Sequence, residues 1–179
     1  MVERTDEAGP VFARSEIDVS ASPKRVWAVL AQIEQWPTWN PAVRSSSLDG
    51  ALEADSSFRW AAGPGTNSCV LSDVDAPRIL AWHGRSMGIS HQQAWHLEPR
   101  TGGCHVTVEQ AMSGLLARIL SGRLQQRLQG DLDTWVRLLK LEAEERSSDD
   151  DAAGAAETSP APMGKSGGTD SGPSGGAAS

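Results

Sequence analysis

The sequence predicts an α+β domain in which a curved antiparallel sheet of about seven strands packs against one long C-terminal helix. Three observations support this class: strand-like segments separated by turn residues fill most of residues 43–111, leucines recur at helical spacing after Gly114, and residues 147–179 contain no Val, Ile, Leu, Phe, Trp or Tyr. A run of strands followed by a helix is typical of α+β folds. A folded part that ends near Arg146 has the size of one ordinary domain, roughly 100–150 residues.

One strand and two short helices are predicted first. Residues 11–20 alternate between apolar and polar side chains, as in a half-buried strand. Ser22-Pro23 then offers an N-cap followed by proline at the first helical position. Pro37 disfavours helical geometry at the residue before it, so this helix should end near Gln35. The two indoles and two prolines of residues 36–41 favour a turn or a second small helix.

Six further strands should form an antiparallel meander, because their connectors are short and rich in Gly, Pro, Asp and Ser. They are predicted at residues 43–48, 57–62, 67–74, 79–84, 89–98 and 103–111.

The strand register predicts which side chains share the inner face of the sheet, because opposed residues of a strand pair point to the same side. Pairing Gly84 with Ile89, Glu98 with Gly103, and Leu71 with both Phe58 and Trp82 gives one consistent answer. The apolar residues of this face are Phe58, Trp60, Ala62, Cys69, Leu71, Leu80, Trp82, Trp95, Leu97, Val106 and Val108. The polar residues among them are Asn67, His91, Gln93 and Gln110.

A long helix should cover that face. Its apolar stripe has spacings of four and three and consists of Leu116, Leu120, Leu124, Leu128, Leu132, Trp135 and Leu139. Thirty helical residues would span about 45 Å. Glycine weakens a helix by roughly 1 kcal/mol relative to alanine, so we expect any bend at Ser121-Gly122.

The charge balance limits the class of partner. The chain has 16 Lys and Arg against 23 Asp and Glu, a net charge of -7, which argues against an electrostatic grip on nucleic acid or anionic lipid. Residues 147–179 account for -4 of this charge and leave -3 on the rest. No apolar run approaches the roughly 20 residues of a membrane span. We therefore expect a cytoplasmic protein without stable membrane insertion. With only two cysteines, disulfides are not expected to hold the fold together.

Three segments resemble a known superfamily. Residues 22–27 (SPKRVW), 36–43 (WPTWNPAV) and 75–82 (DAPRILAW) are similar to the SRPBCC superfamily, and most of all to its polyketide cyclase/dehydrase and lipid transport group. The resemblance covers about residues 11–145. It implies a helix-grip fold with a cavity between the sheet and the long helix. It does not select a function, since the superfamily includes START lipid-transfer domains, cyclases, dehydratases and co-chaperones.

The candidate ligand-binding residues combine inner-face side chains with two from the small second helix. They are Trp39, Asn40, Phe58, Trp60, Asn67, Leu71, Trp82, His91, Gln93, Trp95, Val108 and Gln110. Apolar walls with a few polar groups are typical of ligand pockets. For each group a simpler interpretation stays open. The indoles can be ordinary core residues, and Trp39 can be a hydrophobic plug with Asn40 capping a turn. The polar side chains can be solvated at the open end of the sheet.

Neither metal nor another cofactor is predicted. His96 and His105 would be cross-strand neighbours on the outer face, but no third ligand accompanies them. A hairpin turn is predicted at Gly63-Pro64-Gly65, since this segment lacks the lysine and the following helix of a phosphate loop.

The predicted organisation is a flexible N-terminus over residues 1–10, the domain over 11–146 and a disordered tail over 147–179. The first functional hypothesis is binding of a small hydrophobic or aromatic molecule, lipid-like or polyketide-like. The second is a cyclase-like or dehydratase-like enzyme that uses His91 as a weak catalytic candidate. The third is a protein-interaction module, whose protein partner the sequence does not identify.

Overall fold

The computed structural model describes residues 9–63 and 65–157. A single antiparallel sheet contains all seven strands in the order β1-β7-β6-β5-β4-β3-β2. Its strands are β1 (Val11–Val19), β2 (Val43–Asp49), β3 (Ser57–Ala62), β4 (Gly65–Asp75), β5 (Ile79–Ser86), β6 (Ile89–Arg100) and β7 (Gly103–Ser113). The helices are α1 (Pro23–Leu30), α2 (Trp36–Trp39), α3 (Leu115–Ile119) and α4 (Ser121–Glu157), with a 3-10 turn over Ile33–Gln35. The predicted fold class is confirmed.

The helical pair after β1 forms for the reasons that the sequence suggested. The Ser22 side chain accepts a hydrogen bond from the Arg25 backbone N–H at 3.3 Å, and Pro23 occupies the first turn of α1. The helix ends at Leu30 rather than near Gln35. Trp36 Nε1 donates to the Leu30 carbonyl at 2.9 Å, so the indole satisfies a backbone group that the end of the helix leaves without a helical partner.

The strand pairing differs from the predicted register by two residues at three hairpins. Gly84 lies opposite His91 instead of Ile89, and Arg100 rather than Glu98 lies opposite Gly103. Phe58 lies opposite Cys69 instead of Leu71. These strands continue further into their connectors than the sequence suggested. A shift of two residues leaves every side chain on its predicted face.

The β5–β6 turn explains one of these shifts. Only two residues, Met87 and Gly88, separate Ser86 from its partner Ile89. Both have positive φ angles, 49° and 78°. Two positive φ angles in a two-residue loop match the right-handed twist of the flanking strands, and this turn therefore lets β5 and β6 pair up to their ends.

The long helical segment is interrupted where a bend was predicted. The short α3 ends at Ile119, and α4 begins at Ser121 beside Gly122. Within the described residues, six side chains of α4 are buried: Leu128, Leu132, Trp135, Val136, Leu139 and Ala143.

The predicted start of the tail at residue 147 needs a correction, because α4 continues to Glu157. Ser147 and Ser148 donate from their hydroxyls to the carbonyls of Ala143 and Glu144, and four of residues 152–156 are alanine, the best helix former. Residues 1–8 and 158–179, where the flexible N-terminus and the rest of the disordered tail are predicted, lie outside the described residues.

No helix in the described part of the chain combines the length and the hydropathy that a bilayer span requires.

Candidate ligand-binding cavity

A cavity of about 320 Å³ lies between the sheet and the first half of α4. The sheet contributes the ends of β3, β4, β5, β6 and β7 that lie near the β3–β4 and β5–β6 turns, and the segment after α2 closes one side. The helix contributes Leu124, Arg127, Leu128, Asp131, Leu132, Thr134 and Trp135. The cavity therefore occupies the position that the superfamily resemblance implied.

Indole rings build the apolar end of this cavity. Trp135 of α4 lines it and meets the ring of Trp60 edge-to-face, with centroids 5.8 Å apart. Below them, Trp36 lies 5.2 Å from Trp135 and 5.7 Å from Trp82. The two contacts with Trp135 are edge-to-face and the Trp36–Trp82 pair is tilted by 40°, and such offset geometries are the ones that aromatic pairs prefer. The cavity thus has a rigid aromatic wall.

Asn40 places a neutral amide at the cavity side and is itself fully buried. Its Oδ1 accepts a hydrogen bond from the Ala42 backbone N–H at 3.1 Å. Its Nδ2 has no hydrogen-bond partner within the described residues. Asn40 therefore caps a turn, as one of the two interpretations held, and also presents a free donor at the site.

His91 lies on the inner face of β6 and is 6% exposed. Its Nε2 is 3.6 Å from the Cys69 sulfur, across the intervening strand β5. The strand between them presents Gly84, where an added Cβ would lie 2.9 Å from His91 Nε2 and 2.7 Å from the sulfur. Glycine at this position is what permits the imidazole and the thiol to meet.

Both partners of this contact are uncharged at neutral pH. Burial lowers the pKa of His91 from 6.5 to about 4, and the nearby His83 acts in the same direction. Burial also raises the pKa of the Cys69 thiol to about 12. The cavity wall therefore carries a neutral imidazole, and the thiol behind it is not a nucleophile.

Three amide side chains complete the polar lining. Gln93 and Gln110 are cross-strand partners on β6 and β7, and both are buried. Asn67 lies at the end of β4, where its Nδ2 donates to the Trp60 carbonyl at 3.4 Å. All three line the cavity beside His91, so the predicted polar cluster comes together in one place.

The charged groups lie at the rim. Arg127 and Asp131 of α4 line the cavity, with the guanidinium Nε 3.7 Å from the carboxylate, and both side chains are more than half exposed. Desolvation raises the pKa of Asp131, and Arg127 opposes this effect. The interior of the cavity thus has neutral polar groups and the mouth has an ion pair.

The structure divides the twelve predicted site residues into two groups of equal size. Those that line the cavity are Asn40, Trp60, Asn67, His91, Gln93 and Gln110. Those that are buried without lining it are Trp39, Phe58, Leu71, Trp82, Trp95 and Val108. For the second group the structure matches the simpler interpretation, a packed core beneath the cavity.

Sequence reasoning did not include the helical side of the cavity. Leu124, Leu128, Leu132 and Trp135 belong to the stripe predicted to cover the sheet, so the sequence held the signal. The sequence does not show how far α4 is shifted along the sheet. This position decides which turns of α4 border the cavity and which pack onto the strands.

A second hollow, of about 470 Å³, lies on the other face of the sheet. Its polar lining includes His83, Arg85 and Gln92, all of which are exposed. No helix covers this face within the described residues, so the hollow is a groove in the outer surface.

The outer-face histidines are not directly opposed. His96 lies opposite Thr107, and His105 lies opposite Glu98. His105 Nδ1 is 2.6 Å from Asp18 Oδ1, so a surface carboxylate is its partner.

A seven-stranded antiparallel sheet that curves around a long C-terminal helix, with a cavity between them, defines the class of helix-grip proteins. The chain belongs to the polyketide cyclase / dehydrase and lipid transport family, whose model matches residues 11–144. This places it in the SRPBCC superfamily.

Solved structures share the fold at low sequence identity. An aromatase/cyclase from Streptomyces sp. R1128 superposes with a TM-score of 0.66 at 14% identity, over 76% of this chain and 94% of that one. A START superfamily protein from Mycobacterium smegmatis gives 0.59 at 13% identity, over 75% and 97%. A hypothetical protein from Helicobacter pylori gives 0.68 at 14% identity, over 78% and 91%. Comparison with the curated proteins gives no match.

Proposed function

We propose that this protein binds an uncharged, flat, aromatic or polyketide-like molecule in the cavity between the sheet and α4. The observation that supports this most is the composition of the lining: indole walls on one side and neutral amide and imidazole groups on the other. Ligand pockets typically combine apolar walls with a few such polar groups, which fix the orientation of the ligand.

The polar groups favour a neutral ligand with hydrogen-bond acceptors. A charged ligand would lose its hydration and would find no opposite charge inside, because His91 is neutral and the ion pair lies at the rim. In contrast, the buried Nδ2 group of Asn40 has no acceptor in the described part of the chain. Carbonyl or hydroxyl oxygens on a ring system would supply one.

The volume favours a compact ligand. At about 320 Å³ the cavity lies near the lower limit of ligand pockets, which extend over roughly 300–1,000 Å³. A molecule of a few fused rings fits this space, whereas a whole two-chain lipid has several times as many atoms. Within the family's range of functions, the geometry therefore supports an aromatic ligand better than a membrane lipid.

Native mass spectrometry of the protein purified from its own host tests this proposal directly. We expect a co-purifying species that is released on unfolding and absorbs as an aromatic compound. A direct binding assay can use N-phenyl-1-naphthylamine, a neutral aromatic probe, with energy transfer from the indoles as the signal. Absence of both a co-purifying compound and probe binding would refute the proposal.

A matched pair of variants locates the probe. Asn67→Trp introduces a bulky ring into the cavity, whereas Ser68→Trp places the same ring on the outer face, where Ser68 is exposed. We expect the first to weaken probe binding at least about tenfold, an effect of about 1.4 kcal/mol, and the second to leave it unchanged. Equal effects of the two variants would place the probe elsewhere.

A second candidate function is an enzyme that uses His91 as a base on a cavity-bound substrate. A neutral imidazole at the cavity wall can accept a proton, and this observation keeps the candidate open. With a pKa of about 4, however, His91 is a weak base at neutral pH, and efficient general bases have pKa values near the working pH. The geometry therefore favours a binding role.

His91→Gln separates the two roles, with His96→Gln on the other face of the same strand as control. If His91 only orients the ligand, binding should weaken about tenfold or less, the value of one hydrogen bond. If His91 is a base, chromatography of the co-purified compound should show its conversion by the parent protein and a roughly 100-fold slower conversion by the variant.

A further inference from the structure

Five of the six large apolar side chains that the described part of the chain exposes belong to one region. Leu115 is 73% exposed, Ile119 68% and Met87 71%, and Leu116 and Leu120 are also exposed. We call these five residues the apolar patch. The sixth, Leu141, lies far along α4. Clustering of exposed large apolar residues marks an interaction site in a soluble protein.

The patch is contiguous, although its residues come from two parts of the chain. Met87 is at the tip of the β5–β6 turn, and the others lie in and directly after α3. A Cβ on Gly88 would lie 3.4 Å from Leu116 Cδ1, so the turn and the helix adjoin. The hairpin tip and α3 therefore present one surface.

The orientation of α3 is unusual for a surface helix. Its small residue, Ala117, is fully buried, while the leucines and the isoleucine on either side of it are exposed. An amphipathic helix on a protein surface normally buries its large apolar side chains. Here the apolar side faces outwards and lacks a partner within the described residues.

The charges around the patch differ in sign from the charge of the whole chain. Residues 112–130 contain three arginines and no Asp or Glu, whereas the chain has a net charge of -7. Arg118 and Arg123 are exposed and form no salt bridge with a described residue, and Arg127 pairs with Asp131. The patch is thus apolar at its centre and basic at its border.

We propose that α3 and the β5–β6 turn dock on the surface of an anionic lipid bilayer, with the apolar patch in the interface and Arg118 and Arg123 at the headgroups. Exposed Leu, Ile and Met beside arginines are the composition of interfacial membrane-binding segments. Each arginine near an anionic leaflet adds to the attraction. The net negative charge of the whole chain argued against binding to anionic lipid. That argument does not extend to this surface, because its own charged residues are arginines.

Charge distinguishes a bilayer from a second copy of this chain. In a symmetric dimer through the patch, the same surface would face itself and bring Arg118 and Arg123 of both copies together. Like charges at an interface oppose association, whereas an anionic bilayer compensates them. The inference goes beyond the proposed function, because docking requires no ligand in the cavity.

Docking would also bring the cavity to the bilayer. Met87 belongs to the apolar patch and lines the cavity, and Leu124 and Arg127 line it from the first turns of α4. An apolar molecule could then enter from the interface with little passage through water.

The test is co-sedimentation of the full chain with vesicles of phosphatidylcholine, with and without phosphatidylserine. We expect binding to the anionic vesicles that weakens as salt is added. Leu115→Ser with Ile119→Ser should abolish it, and Arg118→Gln with Arg123→Gln should reduce it about 30-fold. Because all four side chains are exposed, these variants should retain the parent's circular dichroism and probe binding.

Leu141→Ser and Arg137→Gln provide matched controls, since both residues are exposed on α4 away from the patch. We expect them to bind anionic vesicles as the parent does. Equal binding to both kinds of vesicle, no binding to either, or a loss as large in the controls would overturn the proposal. A dimer in solution that disappears with Leu115→Ser and Ile119→Ser would overturn it in favour of a second copy.

Discussion

At the scale of single residues, the site depends on a contact that no local sequence pattern encodes. His91 and Cys69 meet across β5 only because Gly84 lies between them, where a side chain would collide with the Ser68 carbonyl as well as with both partners. The inner-face pattern placed His91 and Cys69 on the same side. Their separation depends on the register, which sequence reasoning assigned two residues away from the observed one.

The depressed pKa of His91 predicts a pH dependence of stability. The unfolded chain binds a proton at His91 near pH 6.5, whereas the folded chain does so only near 4. The unfolded state therefore binds more protons in this interval, and the free energy of unfolding should fall as the pH is lowered from about 6.5 to 4. The full contribution is present above 6.5, and its loss amounts to about 3 kcal/mol at most.

Urea unfolding of the parent and of His91→Gln at several pH values measures this effect. The variant should lose less stability between pH 6.5 and 4, and the difference isolates His91 from Glu144 and Asp18, whose lowered pKa values affect both proteins equally. Cys69→Ala removes the sulfur contact and keeps the buried imidazole, so its pH dependence should follow the parent's. Parallel curves for the parent and His91→Gln would contradict the assignment.

At the scale of elements, α4 packs on the sheet and also covers its edge. Strand β1 is an edge strand, whose backbone groups would otherwise offer a pairing site. Gln125 accepts from the Phe12 N–H at 3.1 Å, Gln129 donates to the Arg14 carbonyl at 2.9 Å, and Lys140 donates to the Asp18 carbonyl at 2.6 Å. Polar side chains of the helix therefore replace the missing neighbouring strand.

The strands and the helix break could be predicted because their signals are local. Alternation and turn residues predicted all seven strands, and Gly122 marked the interruption between α3 and α4. The exposed side of α3 could not be predicted, since Leu116 and Leu120 continue the apolar stripe in sequence. In the structure the helix is interrupted at Leu120, and both leucines, which lie before α4, are exposed.

Two leucines of α4, two positions apart, test which side of the helix stabilises the fold. Leu139 is fully buried and Leu141 is 58% exposed. Leu139→Ala should lower the free energy of unfolding by about 2–5 kcal/mol, because it removes buried methyl groups and leaves a cavity. Leu141→Ala should change it by no more than about 0.5 kcal/mol. Urea denaturation of both variants measures the two effects, and a similar loss in both would contradict the observed orientation of α4.

At the scale of the whole molecule, charge and apolar surface are distributed unevenly. Residues 112–130 contain no Asp or Glu, the interior of the cavity is neutral, and Arg118 and Arg123 lie beside the apolar patch. The net charge of the chain averages over these regions and therefore does not describe the charge of any one of them. The cavity between the sheet and the helix could be anticipated only through the family resemblance, because composition and periodicity give faces of elements and not the space between them.

Residues 158–179 give the last prediction. They contain one methionine and no other large apolar residue, and such a composition cannot bury enough surface to offset its ordering entropy. A chain that ends at Glu157 should therefore have the same thermal midpoint as the full chain, measured by circular dichroism. As a control, a chain that ends at Val136 loses the buried Leu139 and Ala143 and should fail to fold. A drop of several degrees on removal of residues 158–179 would show that they pack on the domain, against the prediction.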